Sequence, residues 1–249
     1  MVPFGDNVQA AVAAEYAGEQ GYKTCALLFD EGSDYTRFLA QYFRDRFTAE
    51  DIGGEIVAES TYGTDDTDYS AQLTEFANLD PAPDFLFFSS GPSEIGTIVK
   101  QARDSGLTQQ IIGGDGYDTP QLIELAGDAA EGIVFTTHEG IYGDSPKGAE
   151  FVEAYEAQFG KAPDNVFAAL GYDAIRLIAD AVNRAESLEG EAIRDALSAT
   201  DGYEAVTGSI SYPEGQRIPQ KSVALIEVED GAFNLLEITV PDQVPDAGV

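Results

Sequence analysis

The stretch Lys23-Thr-Cys-Ala-Leu-Leu-Phe-Asp30 decides how this 249-residue chain is read. An unbroken apolar run that ends in an acid is the pattern of a strand buried on both faces of a parallel sheet. Downstream, Phe38, Leu39, Tyr42, Phe43 and Phe47 recur at helical spacing between Tyr35 and Ala49. Gly53-Gly54 then turns the chain into a second strand, Glu55 to Ser60. Asp68 suits the N-cap of a helix carrying Leu73, Phe76 and Leu79, which Pro81 and Pro83 break. Asp84 to Phe88 reads as a third strand, and Pro92 as the first turn of a helix reaching Ser105. Gln110 to Gly113 is a fourth strand, Pro120 opens another helix, and Glu131 to Thr136 is a fifth strand. Upstream, Asp6 to Ala17 reads as a short helix of small residues. Strands alternating with helices predict βαβ units, hence an α/β fold with a doubly wound parallel sheet.

The pattern changes after His138. Three helices follow without a strand between them: Lys147 to Phe159, Asp164 to Arg184 and Glu189 to Ala199. Their apolar stripes, Val152, Tyr155 and Phe159, then Ala168, Tyr172, Ile175 and Ile178, call for a partner surface. Val206 to Tyr212 is expected as a strand. Lys221 to Val228 and Phe233 to Val240 are expected as a hairpin across Glu229-Asp-Gly231. Pro241 to Val249 reads as a flexible tail.

Composition narrows the function classes. The chain has 13 Lys and Arg against 45 Asp and Glu, a formal net charge of −32. Such a surface repels nucleic-acid phosphates and anionic lipid headgroups. The 14 Phe and 12 Tyr belong to a folded protein rather than a disordered acidic one. We read the acidity as adaptation to concentrated salt, where screening shortens to about 3 Å at 1 M; an ordinary acidic protein is the alternative. Cys25 is the sole cysteine, which excludes an intrachain disulfide and a cysteine zinc site. His138 is the sole histidine and lies in no HExxH or GxSxG pattern, so it reads as a core or rim residue. Asp65-Asp66-Thr67-Asp68 lacks the glycine and distal glutamate of a calcium loop. No motif implies a cofactor or a metal. Met1 to Phe4 has neither the basic nor the apolar region of a signal peptide.

In open α/β sheets ligands bind beyond the carboxyl ends of the strands. That rule selects Tyr35 after the first strand, Ser89, Ser90 and Gly91 after the third, and Gly113-Gly-Asp115-Gly-Tyr117 after the fourth. Asp115 is placed to meet a cation between glycines that admit a ligand to the backbone; the alternative is a tight turn with an exposed acid. Ser89 to Ser93 suits a polar group at a helix start or serves as a simple cap. Tyr35 offers an aromatic wall with a hydroxyl tip, or packs a helix start.

The segments Lys23 to Asp30 with Ser33-Asp-Tyr35, Asp66-Thr-Asp-Tyr-Ser-Ala-Gln-Leu73, Ile98-Val-Lys-Gln-Ala-Arg103, Gly113 to Asp118, Ala126-Gly-Asp-Ala-Ala-Glu-Gly132 and Ala168-Ala-Leu-Gly-Tyr-Asp-Ala174 resemble one family. It is the leucine/isoleucine/valine-binding family of type I periplasmic binding proteins, the solute receptors of ABC transporters. The resemblance implies two α/β lobes that close on an amino acid. It assigns residues 1–140 and 206–240 to the second lobe and 141–205 to the helical remainder of a first lobe. Most of the first lobe would then be absent, leaving helices that favour self-association. It makes Asp115 the acceptor of the ligand ammonium and Tyr35 an aromatic wall. Phe167 would flank the side-chain pocket, with Tyr117 a looser candidate. Gly91 falls where some members place a tyrosine, which Ser89 or Ser90 would replace. An amino-acid ligand, a membrane permease and an extracytoplasmic location for the full-length protein follow as expectations. A sensor domain of the same fold, an acid-dependent hydrolase using Asp30 and Asp115 with Mg²⁺, and a fragment without binding activity remain the alternatives.

Overall fold

A computed structural model describes residues 1–247. The chain divides into two compact units. The sheet unit comprises Asp6–Thr137 and residues from Leu225 onward, and the helical unit comprises Met1–Gly5 and His138–Ala224.

The sheet unit begins with helix α1 (Asp6–Glu19), strand β1 (Thr24–Asp30), helix α2 (Asp34–Phe47) and strand β2 (Glu55–Tyr62). It continues through α3 (Ser70–Ala77), β3 (Phe85–Ser89), α4 (Ile95–Asp104), β4 (Gln110–Gly113), α5 (Pro120–Ala126) and β5 (Val134–Thr137). β2, β1, β3, β4 and β5 lie side by side in that order, and each neighbouring pair is parallel. The strand order reverses between β1 and β3, which is where such sheets open a crevice.

Cys25 to Phe29 in β1 and Phe85 to Phe88 in β3 are apolar and buried because helices cover both faces of these strands. Alternation sends Cys25, Leu27, Phe29, Phe85 and Phe87 to one side, where they meet α1 through Ala10, Ala13, Ala14 and Ala17 and α2 through Leu39, Phe43 and Phe47. The Phe43 and Phe87 rings stack with centroids 3.7 Å apart. α1 is alanine-rich where it is buried, so its backbone lies close to α2.

The helical unit contains α6 (Pro146–Phe159), α7 (Phe167–Ala185) and α8 (Gly190–Ser198), then β6 (Tyr203–Ala205) and β7 (Gly208–Ile210). β8 (Val223–Glu229) and β9 (Ala232–Thr239) complete the main sheet beside β5. The single strand expected over Val206 to Tyr212 is instead the second half of a small antiparallel pair, β6 with β7. Buried Asp173 causes the difference. Its carboxylate accepts from the backbone N–H of Val206 (2.9 Å) and Thr207 (2.8 Å) and from the Thr207 hydroxyl (2.7 Å), holding 206–207 in a turn.

Residues 1–5, 138–140 and 206–224, expected with the sheet, belong to the helical unit, where Ile210 packs with Val2, Leu170, Leu177 and Ala205. Pro92 lies in the turn before α4 rather than inside it, and the Ile95 N–H bonds to the Gly91 carbonyl. The chain after Pro241 is not loose where it is described. Asp242 and Gln243 N–H donate to Glu15, Asn7 donates to the Pro245 carbonyl, and Tyr42 to the Ala247 carbonyl. The last two residues of that expected tail lie outside the described residues. On α7 the buried face is Ala169, Leu170, Asp173, Leu177 and Ala181, while Tyr172, Ile175 and Ile178 are exposed.

Phe43 is fully buried and Phe38 is 41% exposed on the same helix. Phe43→Ala is expected to lose about 3–5 kcal/mol of unfolding free energy and Phe38→Ala less than about 1 kcal/mol, read by urea denaturation in molar salt.

Candidate functional site

Three elements meet at the carboxyl end of β4. The turn after β4 carries Asp115, the first turn of α2 carries Tyr35, and the first turn of α1 carries Asp6 and Gln9. The Tyr35 hydroxyl donates to Asp115 Oδ1 at 2.8 Å and accepts from the Gly116 N–H at 3.0 Å. Gln9 Nε2 donates to Asp115 Oδ1 at 3.0 Å and to Asp6 Oδ1 at 3.1 Å. Gln9 Oε1 accepts from the Asp115 N–H at 2.9 Å and from the Thr136 hydroxyl at 3.2 Å. Gln9 is fully buried, whereas both acids are half-buried.

The glycines act differently from the expectation. A Cβ on Gly114 would stand 2.6 Å from Leu39 and 2.9 Å from the Tyr35 hydroxyl. A Cβ on Gly116 would stand 2.3 Å from the Ser90 carbonyl oxygen. The space they free is taken by the chain's own side chains and backbone, which close on Asp115.

The electrostatics are one-sided. Among the described residues no Lys, Arg or His stands within ion-pair distance of Asp6 or Asp115. Burial raises the Asp115 carboxyl, against the lowering effect of the Gln9 and Tyr35 hydrogen bonds. Burial, and then the neighbouring Asp115 charge, push Asp6 up to about 6. Burial also raises the Tyr35 phenol well above its ordinary value, so it stays a donor at neutral pH. Buried Arg46 shows the contrast, with Glu15 and Asp51 each 2.8 Å away.

The other expected residues have different places. Ser89 is fully buried and its hydroxyl donates to the Thr36 carbonyl at 2.7 Å. Tyr117 is fully buried and its hydroxyl donates to the Phe88 carbonyl at 2.7 Å. Both hydroxyls are committed to backbone, so we read these residues as supports for the two turns rather than as ligand contacts. Ser90 is buried and donates to the Gly91 carbonyl at 3.2 Å. Phe167 belongs to the helical unit, where the residue is 42% exposed at the start of α7. A cavity of about 400 Å³ in the helical unit is lined by Lys147, Glu150, Tyr172, Asp173 and Arg176 among others, and by none of the expected residues. No group of three His, Cys, Asp or Glu among the described residues is arranged to hold a metal.

The family model described as periplasmic binding protein matches residues 1–232. The chain belongs to the periplasmic binding protein family. The leucine-, isoleucine-, valine-, threonine- and alanine-binding protein of Pseudomonas aeruginosa is 27% identical over 84% of this chain and 54% of its own length. The Leu/Ile/Val-binding protein BraC3 of Rhizobium johnstonii is 30% identical over 91% of this chain and 60% of its own length. The leucine-binding protein LivK of Thermotoga maritima superposes with a TM-score of 0.87 at 34% identity, covering 97% of this chain and 67% of that one. A Rhodopseudomonas palustris solute-binding protein in complex with benzoate shares the fold, with a TM-score of 0.85 at 20% identity over 99% of this chain and 66% of that one. The chain therefore spans little more than half the length of these curated relatives. Among the described residues no helix is long and apolar enough to cross a membrane.

Asp6 and Gln9 were not among the residues expected at this site. The signal available was their three-residue separation, which puts both on one face of a helix start. That spacing is commonplace, and only the fold brings Asp115 against it.

Because Asp6 ionises at higher pH when folded than when unfolded, folded protein holds the extra proton between about pH 4 and pH 6. Its contribution to stability falls as pH rises through that window. Relative to Asp6→Asn, the wild-type chain is expected to lose about 2 kcal/mol between pH 4.5 and pH 7, read by denaturant melts at constant salt.

Proposed function

We propose that this chain carries the ammonium-binding part of an amino-acid site in the receptor of an ABC importer. The observation that carries the reading is a half-buried carboxylate, Asp115, aimed by two donors and standing beside a second acid, with no basic side chain in reach among the described residues. Removing a carboxylate from water is costly unless a cation or several donors compensate it. An α-ammonium supplies both the charge and three N–H donors. A charge-assisted bond of that kind contributes about 1.5–3 kcal/mol, and burial of a leucine-sized side chain about as much again. The binding-protein relatives bear the names of leucine, isoleucine and valine, which makes aliphatic amino acids the first ligands to test.

The same charge argues against a simple aromatic acid. A benzoate anion, bound by one relative of similar fold, would bring a second negative charge toward Asp115 with no amine to offset it. A membrane permease as partner and an extracytoplasmic location for the whole receptor belong to this proposal, as does a hinged closure that lets ligand select one state.

Leucine titrated into the ¹⁵N-labelled chain in molar salt is expected to shift the amides of Asp115 and Gly116, with benzoate leaving them in place. Asp115→Asn should weaken leucine binding at least tenfold, on the magnitude of a charged hydrogen bond. Unmoved amides at tens of millimolar leucine would remove the amino-acid reading.

A further inference from the structure

The amide of Gln9 is fully buried and lies between two acids. Its orientation is set by chemistry. The Asp115 backbone N–H can only donate, so the atom it meets at 2.9 Å is the amide oxygen. The amide nitrogen must then face Asp6 and Asp115, and its two N–H groups serve one carboxylate each. The Thr136 hydroxyl pins the oxygen from β5. No rotation of Gln9 preserves these four bonds.

We propose that Asp6, Gln9 and Asp115 form one proton-linked unit, in which Gln9 is the positioning residue that aims the Asp115 carboxylate and Asp6 sets the negative charge that accompanies it. The linkage stands on the geometry of the chain by itself. Its consequence for ligand rests on the amino-acid reading above. Among the described residues, the groups that face Asp6 are acidic or neutral. Asp115 faces it from the turn after β4, and the phenols of Tyr35 and Tyr42 face it from α2. Asp246 in the tail and Asp45 on α2 add negative potential at Tyr42. Two carboxylates on one amide, with no cation in reach among the described residues, titrate as a pair rather than singly. The pushed-up titration of Asp6 is consistent with this.

The functional consequence has a definite sign. Near pH 7.5 Asp6 is ionised and adds its negative charge to what an ammonium meets beside Asp115. Near pH 5 Asp6 holds a proton and that charge is gone. Affinity for an amine therefore rises with pH across that step. Gln9 donates to both acids, and its loss takes the aim from Asp115 whether or not Asp6 is protonated, so it weakens binding at every pH.

The test begins without ligand. Carboxyl-carbon NMR of the whole chain, labelled at aspartate, follows the two acids from pH 4 to pH 8. Asp115→Asn is expected to lower the Asp6 midpoint by at least half a pH unit, and Asp6→Asn to lower that of Asp115. Midpoints that ignore each other overturn the proton linkage. Leucine is then titrated at pH 5 and pH 7.5. The wild-type chain is expected to gain at least threefold in affinity at the higher pH, Asp6→Asn to gain less than half of that, and Gln9→Met to bind about tenfold more weakly at both. Leucine binding with the full pH step retained in Asp6→Asn overturns the inference and leaves the amino-acid reading standing. Coupled midpoints with no leucine binding at either pH retire the amino-acid reading and leave the linkage intact. If Gln9→Met does not fold, Gln9→Glu, which keeps the length and loses the amide donors, replaces it. Wild-type affinity and an unmoved Asp115 midpoint in that variant overturn the positioning role.

Discussion

A carboxylate half out of water, with no basic side chain beside it among the described residues, is the constraint around which this site is arranged. Asp115 is stable in that position because a phenol and a buried amide donate to it, and a charged acceptor makes such bonds stronger than neutral ones. The donors compensate only in part, since burial still leaves its carboxyl raised. Elsewhere the protein handles the same problem with an ion pair, as at Arg46 with Glu15 and Asp51. The contrast separates acids paired with a basic side chain of their own chain from one that has no basic partner among the described residues.

The scaffold explains why these groups meet. The parallel order β2-β1-β3-β4-β5 sends the carboxyl ends of all five strands to one edge of the sheet unit. Tyr35 comes from the helix after β1 and Asp115 from the turn after β4, so the residues are 80 positions apart in sequence yet 2.8 Å apart in space. Gly114 and Gly116 make the approach sterically possible. Ser89 and Tyr117 fasten the neighbouring turns to Thr36 and Phe88. Alanines on the buried side of α1 let that helix sit close enough for Gln9 to reach in.

Net charge and local charge have separate roles here. The excess of acid over base, 45 against 13, sets solubility and the response to salt. It does not mark the site, because most acids are exposed and screened. Burial raises both Asp6 and Asp115, and the Asp115 charge adds to the rise at Asp6.

Much of this architecture was legible in the residue order. The apolar run at Thr24 to Phe29, the helical spacing of Leu39, Phe43 and Phe47, and the alternation through Thr136 specify parallel strands wrapped by helices, because burial on both faces leaves no polar positions. The rule that ligands meet the carboxyl ends of strands singled out Tyr35 and Asp115, which share a hydrogen bond. Tertiary contact alone decided the rest. Asp173 turned an expected strand into a two-stranded corner by accepting from two backbone N–H groups. Backbone carbonyls took up the hydroxyls of Ser89 and Tyr117, and glycines expected to admit a ligand admitted Tyr35 and Ser90 instead. Periodicity records which side of an element is dry. Which polar group on a dry side finds a partner depends on segments distant in the chain, and that is why Gln9 and Asp6 became visible only in the folded protein.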